Sequence, residues 1–209
     1  MIFKAKFCIV NYMQPQTFVF YGIVGSGKGT QVKLLTDYIK NKYGKDCVYI
    51  GTGEIFRKII ESRDNNFDTN TVKEFLNSGR LVPDEMTNKF VAEAVRLNSS
   101  REEHLIFDGY PRTVNQSEKF MDLLKSVKRY NVKIIYIEVG KEEAMKRNLL
   151  RGRHDDTREG LAKRFDEYVN NVIPSMNYFK DKEDYMIYKI NGEQIVENVH
   201  KDIIKSLGI

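Results

Sequence analysis

Five short apolar runs rich in β-branched and aromatic residues recur along the chain: Thr17 to Val24, Cys47 to Ile50, His104 to Phe107, Lys133 to Val139 and Tyr185 to Ile190. Runs that are apolar at nearly every position, not every second one, suit strands buried on both faces. The stretches between them carry helical spacing, with Val32, Leu35 and Ile39 in the first and Leu161, Phe165, Val169 and Val172 in a late one. Strand alternating with helix predicts an α/β architecture: a parallel sheet with helices on both faces. Such sheets bind ligands at the carboxyl ends of their strands, and Gly22, Gly51, Gly109 and Gly192 mark those ends here.

The segment from Thr52 to Val82 is longer than a plain crossover and holds several helical patches around the polar turn Asp64-Asn65-Asn66. It reads as a small helical insertion, residues 52–82, within one domain spanning 17–209. Residues 1–16 read as an N-terminal extension, either disordered or packed as an added strand. No internal repeat, low-complexity tract or Pro-rich linker divides the chain, whose four prolines are Pro15, Pro83, Pro111 and Pro174.

Composition narrows the field. With 209 residues, 41% hydrophobic and 30% charged, the chain can bury a core, which excludes fibrous and wholly disordered classes. Its 34 Lys and Arg outnumber its 29 Asp and Glu, giving a net charge of +5, but the signs are interleaved. Without a long basic block, small phosphorylated ligands are expected and a nucleic-acid partner is not. Cys8 and Cys47 are too few for a disulfide framework and form no CxxC pair, so a reducing compartment is expected. Met1 to Val10 is short, broken by Lys4 and Lys6, and followed by no small-residue cleavage site, which argues against a secretion signal. No run reaches the ~18 consecutive apolar residues of a membrane helix. A cytoplasmic protein with no membrane partner is the expectation.

The stretch with most chemistry is Gly22-Ile23-Val24-Gly25-Ser26-Gly27-Lys28-Gly29-Thr30-Gln31, entered from a strand and followed by an amphipathic helix. This is the context of a phosphate-binding P-loop. Glycines let backbone N–H groups converge on phosphate oxygens, the helix N-terminus adds partial positive charge, and Lys28 adds a full one. The strict pattern puts Ser or Thr directly after the lysine; here Gly29 stands there and Thr30 follows. Phosphate binding is thus better supported than metal assistance by the hydroxyl.

Gly25-Ser26-Gly27-Lys28-Gly29-Thr30-Gln31, together with Phe107-Asp108-Gly109-Tyr110-Pro111-Arg112-Thr113, resembles the adenylate kinases. Further pieces follow in the family's order: Gly51-Thr52-Gly53-Glu54-Ile55-Phe56-Arg57, Ser78-Gly79-Arg80-Leu81-Val82-Pro83-Asp84-Glu85, and Arg151-Gly152-Arg153-His154-Asp155-Asp156 with Arg164 beyond. The resemblance implies a P-loop NTPase-type three-layer fold, with a central five-stranded parallel sheet and the insertion binding the nucleoside monophosphate. It also implies reversible phosphoryl transfer between ATP and AMP, giving ADP, with Mg2+ and without structural zinc.

Carried over position by position, the resemblance puts Gly25, Ser26, Gly27, Lys28, Gly29, Thr30, Arg147 and Arg151 on ATP. It puts Thr52, Arg57, Arg80, Val82, Gly109, Arg112 and Gln116 on AMP. Lys28, Arg112, Arg153, Arg164 and Asp108 would be catalytic, with Asp108 orienting magnesium through water. Arginine suits the phosphate clamps because its planar fork matches phosphate oxygens, which lysine cannot reproduce. Gln116 offers both a donor and an acceptor to a base edge. No His or carboxylate constellation marks a general base in the glycine turns, and an AMP phosphate already ionised near neutral pH demands none.

The clearest departure is the lid: only Gly152 separates Arg151 from Arg153, so residues 151–157 form a minimal lid turn. Lid closure normally excludes water. A homo-oligomer, or the extra N-terminal residues, is therefore expected to help shield the site. A second departure is Ile23-Val24 in the loop, bulkier than the family's usual pair and expected to pack behind it. The rival readings are a UMP/CMP or other nucleoside monophosphate kinase, and a catalytically silent nucleotide-binding module. Thr113 and Gln116 favour the adenylate pattern over the first, and the number of converging cations argues against the second.

Overall fold

The computed structural model describes residues 13–62, 69–98, 102–151 and 157–209. Residues 1–12 of the expected extension, the turn Asp64-Asn65-Asn66, and Gly152, Arg153, His154, Asp155 and Asp156 of the lid turn lie outside these. The elements run β1 (Thr17–Tyr21), α1 (Lys28–Tyr43), β2 (Cys47–Gly51), α2 (Thr52–Ser62), α3 (Thr69–Ser78), α4 (Asp84–Asn98), β3 (His104–Asp108) and α5 (Val114–Ser126). They continue with β4 (Val132–Glu138), α6 (Lys141–Arg151), α7 (Arg158–Glu167), a π-helical turn (Tyr168–Val172), α8 (Ile173–Asn177), β5 (Tyr185–Asn191) and α9 (Val196–Leu207).

The strands form one five-stranded sheet in the order β2-β3-β1-β4-β5. Every pairing is parallel, with Phe20 beside both Asp108 and Ile135. The apolar runs are explained by two covered faces. Phe18 and Phe20 of β1, Ile106 of β3, and Ile135 and Ile137 of β4 enter one core with Leu35, Ile39 and Ile203 from α1 and α9. Their neighbours Val19, Tyr21, Leu105, Phe107 and Ile134 enter the other core, with Val91, Phe120 and Leu124 from α4 and α5. A smaller cluster, Phe56, Val72, Val82 and Phe90, holds α2 and α3 against α4.

Two sequence expectations shift. The first run ends as a strand at Tyr21, not Val24, because Gly22 turns to φ +149° and the chain leaves the sheet. Val169 does not continue the buried stripe of α7; it is 58% exposed. It lies in the π-helical turn, where i→i+5 bonding changes the angle per residue and breaks the 3.6-residue spacing. Ahead of β1, residues 13–16 form no added strand, although Gln16 accepts the Leu105 N–H at 2.9 Å.

His104 starts β3 in full burial, stacked on Phe18 with ring centroids 6.1 Å apart. Its Nδ1 accepts the Gln16 N–H at 3.0 Å, which leaves the proton on Nε2, and Nε2 has no partner among the described residues. Burial, then the charges of Arg129, Lys45 and Lys133, lowers its pKa to about 4. An unfolded histidine titrates near 6.5, so as pH falls the unfolded chain takes up the proton first. Stability from this site is complete above about pH 6.5 and is lost between about 6.5 and 4. The loss should be on the order of 3 kcal/mol, and His104→Gln should flatten the Tm-versus-pH curve across that window.

Candidate active site at the carboxyl ends of the strands

The glycine-bearing turns gather at one rim of the sheet. After β1 the chain makes a tight loop in which the Ser26 N–H bonds the Ile23 carbonyl at 3.1 Å, and α1 starts at Lys28 after Gly27 at φ +91°. Ile23 is buried in the core and Val24 packs against it, so both lie behind the loop. Ser26 is also buried, whereas Gly27, Gly29 and Thr30 are exposed. Gly25, at φ +87°, meets α6: a Cβ there would collide with the Asn148 amide nitrogen and the Ala144 carbonyl.

Lys28 Nζ donates to the carbonyls of Gly22 and Ile23 at 2.7 and 3.0 Å, with Ser26 Oγ at 3.5 Å. Burial lowers its pKa to about 8; Asp108 opposes that shift, while Arg112 and Arg151 add to it. Arg112 is likewise lowered by burial, supported by Asp108 and repelled by Arg164. The loop after β1, the turn after β3, the end of α6 and the last turn of α7 thus bring Arg112 and Arg151 within electrostatic reach of Lys28 and Arg164 within reach of Arg112, with Asp108 attracting Lys28 and Arg112 and Glu167 also attracting Arg112.

The turn after β3 is built around Gly109. At φ +78° it suits glycine, and a Cβ would stand 2.5 Å from Arg112 Nη2 and 2.9 Å from Thr52 Oγ1. Thr52 donates to the Gly109 carbonyl at 2.7 Å, joining α2 to this turn. Arg57, exposed on α2, sets its guanidinium over Gly53, where a Cβ would lie 3.4 Å from Nη1. Gln116 is buried and fully oriented: Oε1 accepts the Arg112 N–H at 2.8 Å and Nε2 donates to Asp84 at 2.8 Å. Val82 packs in the insertion core, its carbonyl accepting from Thr87 Oγ1 at 3.2 Å.

Arg80 is not brought into this array. It lies over the Phe75 ring at 4.7 Å and pairs with Glu74 at 2.8 Å. The neighbouring Gly79 matters instead: a Cβ would meet the Gly160 carbonyl at 2.8 Å and Arg164 Cγ at 3.4 Å, so the end of α3 touches α7 where Arg164 leaves it. On α6, Arg147 bonds Glu143 at 2.7 Å and the Gly192 carbonyl at 3.0 Å, tying the helix to the turn after β5. A cavity of about 730 Å³ opens beside that turn, lined by Ile23, Val139, Lys141, Phe165, Tyr168 and Glu193 among others. Its size suits part of a nucleotide.

Three residues absent from the sequence expectations shape the site. Asn148 is fully buried on α6; its Nδ2 donates to the carbonyls of Val24 at 2.9 Å and Ala144 at 2.7 Å, and its Oδ1 accepts from Arg151 at 2.8 Å. It links the phosphate loop to an arginine. If the loop holds ATP as the resemblance implies, Asn148→Ala should weaken ATP binding about fivefold and leave AMP binding unchanged, as titration calorimetry would show. Asp84 holds both Gln116 and Thr113 Oγ1, the latter at 2.7 Å. Tyr49 lies over Gly51 and donates to Asp108 at 3.4 Å. No spacing rule connects these residues to the motifs, although Asp84 falls within one.

Comparison with known proteins agrees with the geometry. The model of the adenylate kinase family matches residues 20–184. An adenylate kinase of Prochlorococcus marinus strain MIT 9301 is 34% identical over 185 residues, covering 88% of this chain and 94% of its own. One of Oenococcus oeni is 33% identical over 178 residues, covering 84% and 89%, and one of Bacteroides fragilis 33% over 193 residues, covering 90% and 96%. With that extent of match, and a phosphate loop opposed by a cluster of arginines, the chain belongs to the adenylate kinase family and is a nucleoside monophosphate kinase.

Proposed function

We propose that the chain transfers the γ-phosphoryl group of ATP reversibly to AMP, giving two ADP. The observation that carries this reading is the convergence of cations from four elements: Lys28 is repelled by Arg112 and Arg151, Arg112 by Arg164, and Asp108 attracts both Lys28 and Arg112. Such a convergence of cations suits a transferring phosphoryl group, which spreads its charge over three equatorial oxygens. The relatives named adenylate kinase support AMP as acceptor.

Lys28 and the loop at residues 25–30 hold the donor phosphates, with Arg151 beside them and Arg147 framing the base against the turn at Gly192. Arg57 and Arg112 clamp the AMP phosphate, Thr52 and Gly109 shape its seat, and Gln116 faces the base. Arg153 and Arg164 complete the cover of the transferring group. The AMP phosphate is already ionised near neutral pH, so no side chain need remove a proton. Among the described residues no group of three or more His, Cys, Asp or Glu side chains could hold a metal. Asp108, close to Lys28 and Arg112, suits magnesium arriving on the nucleotide and oriented through water, since this ion commonly keeps its waters and binds few carboxylates. When bound, the ion neutralises charge on the β and γ phosphates.

The same reading places the enzyme in the cytoplasm. No helix among the described residues is long and apolar enough to cross a membrane. Cys47 is free, and burial pushes its thiol up to about 12, keeping it protonated. With so short a lid turn, a second copy of the chain or residues 1–14 supplies part of the cover; a strictly monomeric enzyme with unchanged kinetics after deletion of residues 1–14 would sink that. The test of the activity is a product-resolved assay with Mg-ATP and, separately, AMP, CMP, UMP, GMP and water. Selective labelling of AMP is expected. A pyrimidine acceptor, or ATP binding with no transfer, would overturn the proposal.

A further inference from the structure

Tyr21 is the last residue of β1 and the last before the phosphate loop. Its phenol is 3% exposed, in the core that also holds Phe120 and Met176. A hydroxyl buried among apolar groups needs a partner, and Tyr21 finds Ser175 Oγ at 2.9 Å. Ser175, fully buried on α8, lies 2.8 Å from Ser117 Oγ on α5. Ser117 donates to the Thr113 carbonyl at 3.0 Å, with the Ser175 carbonyl at 3.1 Å as a second acceptor.

One arrangement satisfies all three hydroxyls: Tyr21 donates to Ser175, Ser175 to Ser117, and Ser117 to a backbone carbonyl. Burial holds the phenol well above its ordinary range, so it stays a donor throughout the working pH range. The relay joins residues 154 and 58 positions apart and three elements that each carry a part of the site. β1 leads into the phosphate loop. α5 begins at the turn bearing Arg112, and Thr113 and Gln116 anchor that turn to Asp84. α8 continues, through the π-helical turn, from the helix bearing Arg164. Apolar packing is non-directional and tolerates small slides between helices, whereas short buried hydrogen bonds do not.

We propose that the Tyr21–Ser175–Ser117 relay is a positioning device that keeps the Arg112 turn and the Arg164 helix in register with the phosphate loop. Its effect is on the in-line alignment of acceptor phosphate and donor γ-phosphate, where displacements of well under an ångström matter. The inference rests on the phosphotransfer reading above. Ser175 is its pivot, lying 2.9 Å from Tyr21 Oη and 2.8 Å from Ser117 Oγ.

Two nearly isosteric variants test it. Tyr21→Phe keeps the ring and removes one hydroxyl; Ser175→Cys keeps the volume and exchanges a strong donor for a weak one. Each should lower kcat for AMP phosphorylation about tenfold, with KM for both nucleotides within about twofold and little change in Tm. The double variant Tyr21→Phe/Ser117→Ala should fall little further than either single one, because the relay is already broken. Unchanged kcat in both isosteric variants would overturn the proposal. So would losses that follow Tm and add in the double variant, the signature of packing alone. An active wild type indifferent to the variants refutes the relay only; a wild type that phosphorylates no AMP refutes the underlying activity.

Discussion

Lys28→Ala is expected to lower kcat for AMP phosphorylation by about three orders of magnitude with the fold retained, as circular dichroism would confirm. The ammonium is fixed at the mouth of the loop by the carbonyls of Gly22 and Ile23, so its charge is in place before the phosphates arrive. Removing it withdraws charge from the transition state more than from the bound substrate, so kcat should suffer more than KM. The depressed pKa adds a pH signature. Lys28 loses its charge as pH rises through about 8 in the free enzyme. In the wild type, kcat/KM for ATP should therefore fall above about pH 8, approaching tenfold per unit, a limb that Lys28→Ala lacks. Equal turnover by wild type and variant would remove Lys28 from the chemistry.

The second large effect is expected at Arg112. Arg112→Lys keeps a positive charge and loses the planar fork, and should cost about 10²-fold in kcat/KM for AMP; Arg112→Ala should cost about 10³-fold. ATP affinity, measured separately, should change little. Gly109→Ala offers an independent check, because its Cβ would enter the space of Arg112 Nη2 at a backbone angle that disfavours side chains. It should reproduce the lysine variant's loss without altering position 112. If Arg112→Lys matches the wild type on AMP, the guanidinium is not the clamp.

Much of this architecture could be read from the chain because its strands are buried on both faces. Val19, Ile106 and Ile134 advertise themselves as continuous apolar runs, and parallel topology then assigns Gly22, Gly51, Gly109 and Gly192 to one rim. Periodicity failed where the backbone left the assumed ladder. Val169 has the right spacing for a buried α-helical position, and the π-helical turn carries it to the surface. Other features were hidden because they depend on tertiary neighbours. Asn148 looks like one polar residue on an amphipathic helix, yet it faces the phosphate loop. Arg80 sits in a motif that matches the family, and its contacts with Glu74, Phe75 and Ser78 could not be read from that motif. The buried hydroxyls of Tyr21, Ser117 and Ser175 share no sequence spacing at all.

The strand order also bears on how such a chain changes over generations. β1 divides the rim, and the groups proposed to hold the acceptor, from Thr52 to Gln116, come from one unbroken stretch on the β2–β3 side. Those proposed for the donor's base, Arg147 and the turn at Gly192, come from the β4–β5 side. Acceptor preference is thus inherited as a block. One recombination event with junctions near Gly44 and Asn131, both in turns outside the strands, would exchange that block between relatives while leaving donor recognition with the recipient. The seam such a hybrid would have to match is broad: the β1–β3 ladder, the apolar side chains that Phe107 and Phe120 share with Val19, Ile134 and Phe179, and the polar contact of Ser117 with Ser175.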